Sequence, residues 1–457
     1  MNPLFASPIY QERRNRLNVA LSHGVALFLS NGESPANYPD NTYRYRQDSN
    51  FLYFFGLSLS NIVGVIDFER KKSLLFGDDC TMDDIIWMGD QPKLVDLAAK
   101  VAVDELYPLA ELPSFLKNKQ VLFTPPYRAE NRMELARLLG KNPEELMPSP
   151  ELIKKIVSLR EIKSPEEIIQ MEEAAEIGVK MHTTVMKYCK PGVSERELFG
   201  IAEGIALSLG NGVSFPTILS QNGQTLHNHD HSLILEKGRL LLMDAGAENT
   251  MNYCSDHTRT IPVSGTFSTR QKEIYEIVYQ AQMAAIAHCQ PGIQNIENHK
   301  IAVTIITEGL QRLGLMKGNI EESVALGAHA LFMPHGLGHQ IGLDVHDMED
   351  LGENYVGYDD NIQRSPIFGW RSLRMAKTLH NGHVISIEPG IYFIPHLIDS
   401  WKKEKKWDSF INYDKIENYR NFGGIRIEDC VLITENGHRV LGPHLPKSIT
   451  EIENILL

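Results

Sequence analysis

The chain has 457 residues, more than one ordinary hydrophobic core accommodates, so two domains are expected. Hydrophobic residues at 42% and charged residues at 23% exclude a largely disordered chain. With 45 Lys and Arg against 58 Asp and Glu, the net charge is −13, the wrong sign for gripping phosphates, so neither nucleic acid nor an anionic membrane is an expected partner.

No apolar run reaches the length of a membrane helix. Pro3, Pro8, Gln11 and Glu12 break the N-terminal stretch and deny it the apolar core of a secretory signal. The five cysteines (Cys80, Cys189, Cys254, Cys289 and Cys430) are odd in number, scattered and never spaced as CxxC. That argues against a disulfide framework or a zinc-thiolate site and predicts a cytoplasmic, reducing location.

In chain order, short β-rich runs at 25–29, 62–67 and 73–76 predict strands, and the spacing of 94–105 predicts a helix. The texture changes near 159–164. There Ser164 is placed to cap a helix that opens with Pro165, Glu166 and Glu167 and runs to Tyr188. A domain boundary is expected near residue 155, giving an N-terminal α/β domain, 1–155, and a second domain, 156–457. The second domain carries an echo. Cys189-Lys-Pro-Gly-Val193 recurs as Cys289-Gln-Pro-Gly-Ile293, each after a long amphipathic stretch and each followed later by an apolar strand, 239–244 and 384–388. A duplicated α/β half fits that pattern.

Four acids sit where acids are costly. Asp244 closes the strand Leu240–Met243, Asp256 lies in a strand-like run, Glu388 interrupts Val384–Ile387, and Glu428 interrupts 425–433. One such acid alone would be a strand-end residue facing solvent, but four in one domain weaken that reading. If they converge, repulsion and burial oppose their ionisation unless cations balance them, and two divalent ions cancel four carboxylates. Oxygen-rich ligation with one imidazole suits manganese or a similar ion. Two such ions make metal-assisted hydrolysis the natural chemistry. The imidazole candidates are His335, His339 and His346, within twelve residues and interleaved with glycines. A second cluster, Leu226-His-Asn-His-Asp-His231, adds His227, whereas His229 and His231 are expected to be a surface or hydrogen-bonded core pair.

Five separated motifs now resemble one family: Met243-Asp-Ala-Gly-Ala-Glu248, Ser255-Asp-His-Thr-Arg-Thr260, the segment His335–Asp347, Ile387-Glu-Pro-Gly-Ile-Tyr392 and Gly424-Ile-Arg-Ile-Glu-Asp429. They resemble the pita-bread metallopeptidases, in the branch of prolidase and aminopeptidase P. Tyr45–Phe51 and Trp87-Met-Gly89 resemble the N-terminal domain of that branch. The resemblance implies an α/β N-terminal domain before a pita-bread α+β domain with an internal pseudo-twofold repeat. It also implies two divalent metal ions, with Asp244 on one, His339 and Glu388 on the other, and Asp256 and Glu428 bridging. Glu388 would also accept the proton of the attacking water. His227 and His346 would contact substrate and stabilise the tetrahedral intermediate, and His335 and Arg426 would orient the ligands. In the family the second aspartate follows the first by eleven residues, and here it follows by twelve. The extra residue must lie in the turn around Asn249–Asn252 or in a bulge, since a slip in the strand would turn Asp256 away.

The resemblance implies hydrolysis of Xaa-Pro bonds in di- or oligopeptides. Arg374, in Gly369-Trp-Arg-Ser-Leu-Arg-Met-Ala-Lys377, resembles the arginine with which prolidase holds a dipeptide's carboxylate, and this favours prolidase over aminopeptidase P. The alternative is that Arg371 and Arg374 decorate an exposed helix. The long segments 353–381 and 397–420 read as walls of the cleft or subunit contacts. A homodimer or homotetramer is implied, with Asp40 and Trp87 as residues of interest at a neighbour's cleft. Metal-free hydrolases and non-catalytic binding modules share the architecture, but the complete ligand set weighs against both.

Overall fold

The computed structural model describes residues 3–456 and divides into two units. One runs to Arg160 and takes in Glu349–Tyr355, and the other is the remainder from Glu161 on. The first is built on a five-stranded sheet in the order Glu105–Tyr107, Lys72–Phe76, Val63–Asp67, Val25–Leu29, Val121–Leu122, antiparallel in its centre and parallel at both edges. Alternate residues Val25, Leu27, Val63, Val65, Leu74 and Phe76 point to one buried face, as strand periodicity requires. The helix Ser49–Phe55 is buried all round, apolar from Phe51 on; Asp48 caps its start and Gly56, at φ +69°, ends it.

The three strands expected in this unit are present at 25–29, 63–67 and 72–76. The helix expected over 94–105 stops at Lys100. Ala102 takes a positive φ of 51°, Asp104 turns back to hydrogen-bond Ser73, and Glu105–Tyr107 joins the sheet as an edge strand. A free sheet edge thus overrides helical spacing at this point.

The second unit repeats one motif twice. The helices Pro165–Tyr188 and Glu195–Leu209 form the first pair, and Thr269–His288 and Asn295–Arg312 the second. Ser164 and Glu167 make a reciprocal capping box at the start of the first helix, and Ser268 and Gln271 do the same for the third. Cys189 and Cys289 end their helices in extended conformations, and Gly192 (φ +91°) and Gly292 (φ +88°) turn the chain into the next helix. One three-stranded sheet holds Ile218–Ser220, Leu240–Ala245 and His257–Pro262; the other holds Val384–Ile387, Asp429–Thr434 and Gly437–Val440. A short ribbon, Gly390–Tyr392 with Gly424–Arg426, is inserted between the strands Val384–Ile387 and Asp429–Thr434 of the second sheet. The halves join where Thr258 pairs with Glu428, which fixes the first half's acids beside the second's. No described helix is long and apolar enough to cross a membrane.

Candidate active site

The ten residues assigned to metal, catalysis or substrate from sequence border one cavity of about 610 Å³ in the second unit. Asp244 comes from Leu240–Ala245, which pairs antiparallel with His257–Pro262 so that Asp244 faces Thr258. The pairing stays in register to the bridge Glu248–Cys254, and Asn249 N–H donates to Tyr253 O. The turn beyond it places Asn252 at φ +66°, a conformation Asn tolerates. The additional residue therefore sits in the turn, and no bulge disturbs the pairing on either side of Asp256. Asp256 itself is held by Cys430, whose thiol bonds the Asp256 carbonyl at 3.0 Å.

Glu388 follows Val384–Ile387, and its N–H donates to Leu337 O. Glu428 stands between two strands, with its N–H on Thr258 O and its Oε2 accepting from the Thr258 hydroxyl at 2.7 Å. His339 is clamped to the strand Val384–Ile387: its N–H donates to Ser386 Oγ and its carbonyl accepts from Ser386 N. Its Nδ1 lies 3.0 Å from Gln340 O, so that nitrogen carries the proton and Nε2 presents a lone pair. That lone pair lies 3.4 Å from Asp256 Oδ2 and 3.6 Å from Glu388 Oε1. A lone pair facing two carboxylates is the arrangement of a metal-binding imidazole whose other nitrogen is fixed by a carbonyl.

The remaining groups form an organised surround. Arg426 donates to Asp244 Oδ2, to the Thr258 hydroxyl at 3.1 Å and to Tyr392 Oη at 2.7 Å. Tyr392 Oη in turn lies 3.0 Å from His335 Nε2, and His335 Nδ1 lies 2.7 Å from Gly336 O. Burial pushes His335 down to about 3, so it is neutral, donating to Gly336 and accepting from Tyr392. His346 packs its ring 4.2 Å from that of His339. His227 is exposed at the rim, and Arg374 and Ser372 border another stretch of wall.

The donors fit divalent cations. Asp256, His339 and Glu428 are all buried and present ligand atoms within 4.8 Å of one another. Buried Asp244 Oδ1, Asp256 Oδ1 and Glu428 Oε1 have no hydrogen-bond partner, which is costly for a carboxylate that has no cation to satisfy it. Burial raises the carboxyls of Asp256, Glu388 and Glu428, and the neighbouring acids add to the rise. Arg426 is the cation hydrogen-bonded within this group, one positive charge against four carboxylates. Two divalent ions would more than offset the three negative charges it leaves.

Thr258, Tyr392 and an apolar wall were not singled out from sequence. Thr258 and Tyr392 lie inside the quoted motifs, yet their service to Glu428 and His335 depends on pairings between distant strands. Phe215, Pro216, Ile218 and Leu226 make an apolar wall. His229, expected at the surface, is exposed but borders the cavity; His231, by contrast, is buried, stacked on Phe199 and bonded to Leu219 O. Arg371 does lie on an exposed turn, as the decorative reading of that pair would have it, whereas Arg374 borders the cavity.

Residues 169–435 match the family described as Metallopeptidase family M24, and residues 10–122 match Aminopeptidase P, N-terminal domain. The chain is 33% identical to the Xaa-Pro dipeptidase of Rattus norvegicus, over 96% of this chain and 90% of that one. It is 31% identical to a probable Xaa-Pro aminopeptidase of Uncinocarpus reesii, over 95% and 90%. Among solved structures, aminopeptidase P from Escherichia coli with the inhibitor Pro-Leu superposes with a TM-score of 0.81 at 29% identity, covering 99% of both chains. On the fold, the ring of buried donors and these matches together, the chain belongs to metallopeptidase family M24 and carries the N-terminal domain of the aminopeptidase P type.

Proposed function

We propose that this protein is a manganese-dependent Xaa-Pro exopeptidase, most specifically a dipeptidase. The observation that carries the reading is the ring of buried oxygen donors around one imidazole in a cavity that also exposes an arginine. Asp244 would hold one ion, His339 and Glu388 the other, with Asp256 and Glu428 shared. When bound, the ions would polarise the scissile carbonyl and acidify the attacking water.

The chain's own residues carry the remaining work. Glu388 takes the proton from the attacking water and returns it to the departing proline nitrogen, which must be protonated to leave. His346 and His227 hydrogen-bond the oxygen on which charge develops as the carbonyl becomes tetrahedral. Arg426 and His335, linked through Tyr392, keep Asp244 and the cavity wall in one orientation. Arg374 holds the carboxylate of a dipeptide, and the wall of Phe215, Pro216, Ile218 and Leu226 excludes water and packs on apolar parts of the substrate.

The same reading places the domain boundary near residue 155 and the enzyme in the cytoplasm as a homodimer or homotetramer. The helix Met82–Met88 supports assembly: it buries none of its side chains, and Trp87 is 79% exposed. Removal of one residue from longer peptides is the competing reading, supported by the aminopeptidase relatives and the aminopeptidase P structure.

A paired assay with manganese-loaded protein separates the two. An Xaa-Pro dipeptide should be preferred over a longer peptide with the same two leading residues. Arg374→Ala should raise KM for the dipeptide roughly 10-fold or more, as loss of a charged hydrogen bond implies, and much less for the longer peptide. Preference for the longer peptide, with equal effects of the substitution on both, would make it an aminopeptidase. No cleavage of either by metal-loaded protein would favour a non-catalytic binding module.

A further inference from the structure

Residues 161–163, at the start of the second unit and just before the capped helix Pro165–Tyr188, place two charged side chains against distant segments of that unit. The Lys163 ammonium lies 3.0 Å from Asp347 Oδ2, and both side chains are only 1% exposed. Breaking such a buried pair is strongly destabilising, whereas replacing it whole by apolar groups is often neutral. Stability alone is therefore a weak reason for two charges at this place.

The neighbourhood offers another reason. Asp347 closes a tight turn: its N–H donates to Gln340 O at 2.9 Å, and its Oδ1 accepts from Asp344 N at 3.3 Å. Gly342 lets the carboxylate approach, since any Cβ there would collide with it. This turn presents Val345 and His346 to the cavity. Two residues before Lys163, Glu161 bonds Lys377 Nζ at 2.5 Å. Lys377 follows Arg374 by three residues, and the N–H groups of Ala376 and Lys377 both donate to Gly357 O. Lys163 N–H donates to Gly382 O, so the backbone of the short segment is fixed as well.

We propose that Lys163 and Glu161 are positioning residues of the cleft: the Lys163–Asp347 pair sets His346 above the metal donors, and the Glu161–Lys377 pair sets Arg374. One short segment thereby aligns the side of the cleft that stabilises the reaction with the side that selects the substrate. A buried ion pair has one favourable separation and direction, while an apolar pair can slide. Displacement of about 1 Å is enough to cost on the order of 100-fold in rate. The inference rests on the peptidase reading above.

The test uses the full-length, manganese-loaded chain, an Xaa-Pro dipeptide, and thermal midpoints measured beside kinetics. K163M should lower kcat roughly 10-fold or more with KM within about 2-fold, since His346 acts in the transition state. E161Q should raise KM with kcat nearly unchanged. K163M/D347L should recover the thermal midpoint without recovering kcat, whereas K163R, which keeps the charge, should recover part of kcat. If K163M does not fold, K163R and E161Q carry the comparison. Variants that change only the midpoint, or an apolar pair that restores kcat, would overturn the inference and leave the peptidase reading standing. A wild-type chain that cleaves no Xaa-Pro substrate would overturn both.

Discussion

Glu388 stands at the end of Val384–Ile387 with Ser386 Oγ 3.3 Å from Oε1 and His339 Nε2 3.6 Å away. Its side chain is 20% exposed, open to the cavity that Asp256 and Glu428 only border from within. That access suits a proton acceptor, and the Glu388→Gln substitution separates chemistry from folding. It should lower kcat at least about 100-fold, the lower range for loss of a general base. The metal-free variant should unfold at the same temperature as the parent or higher, because one carboxylate leaves a crowded buried group. Retained turnover would remove Glu388 from the reaction. The acids could be found in the sequence because a carboxylate inside an apolar strand contradicts its surroundings. Thr258, Ser386 and Tyr392 contradict nothing: a hydroxyl in a strand is ordinary, and only the cross-strand pairing shows which carboxylate, backbone group or imidazole it serves.

At the scale of elements, caps and periodicity were readable where local chemistry decides and misleading where a distant strand decides. Ser164, Pro165 and Glu167 specify the start of the long helix by contacts within four residues. The 94–105 stretch has equally good helical spacing, but its helix ends at Lys100 so that the chain can reach the open edge beside Lys72–Phe76 at Glu105. The hairpin from Asp244 to Asp256 lies between these cases. Its insertion could be anticipated, and the register shows that the turn absorbs it. The segment before the long helix was invisible as a functional element, because Lys163 and Asp347 are 184 residues apart.

That segment also predicts a pH dependence. Burial would raise the Glu161 carboxyl, but His383 and Lys377 beside it outweigh burial and hold it at about 2, against an ordinary value of 4.5. Burial lowers His383 from its ordinary value, while Lys377 Nζ lies 2.5 Å from the Glu161 carboxylate. A depressed carboxyl stabilises the fold above its unfolded pKa and loses that contribution as pH falls toward its folded value. The difference in thermal midpoint between the wild-type chain and E161Q should thus be present at pH 7 and shrink between about pH 4.5 and 2. A difference independent of pH across that range would show that Glu161 is not held ionised by its partners.

On the scale of the whole molecule, two similar helix-and-sheet halves meet at the Thr258–Glu428 bridge, and each half contributes acids to the seam. Asp244 and Asp256 come from the first half, and His339, Glu388 and Glu428 from the second. Neither half alone holds enough donors for two ions, so metal bound across the seam would stabilise the joining of the halves. The repeated Cys-x-Pro-Gly turns hinted at the duplication, while the seam itself depends on a pairing between residues 170 positions apart. As proposed, these five donors form a two-ion hydrolytic centre for Xaa-Pro bonds. The direct measurement is hydrolysis of an Xaa-Pro dipeptide by chelator-stripped protein as manganese is added back, with bound metal counted at each step. Turnover should be absent at the start and reach its plateau as two ions per chain are bound. Turnover that survives stripping, or a chain that binds two ions and cleaves no Xaa-Pro peptide, would contradict it.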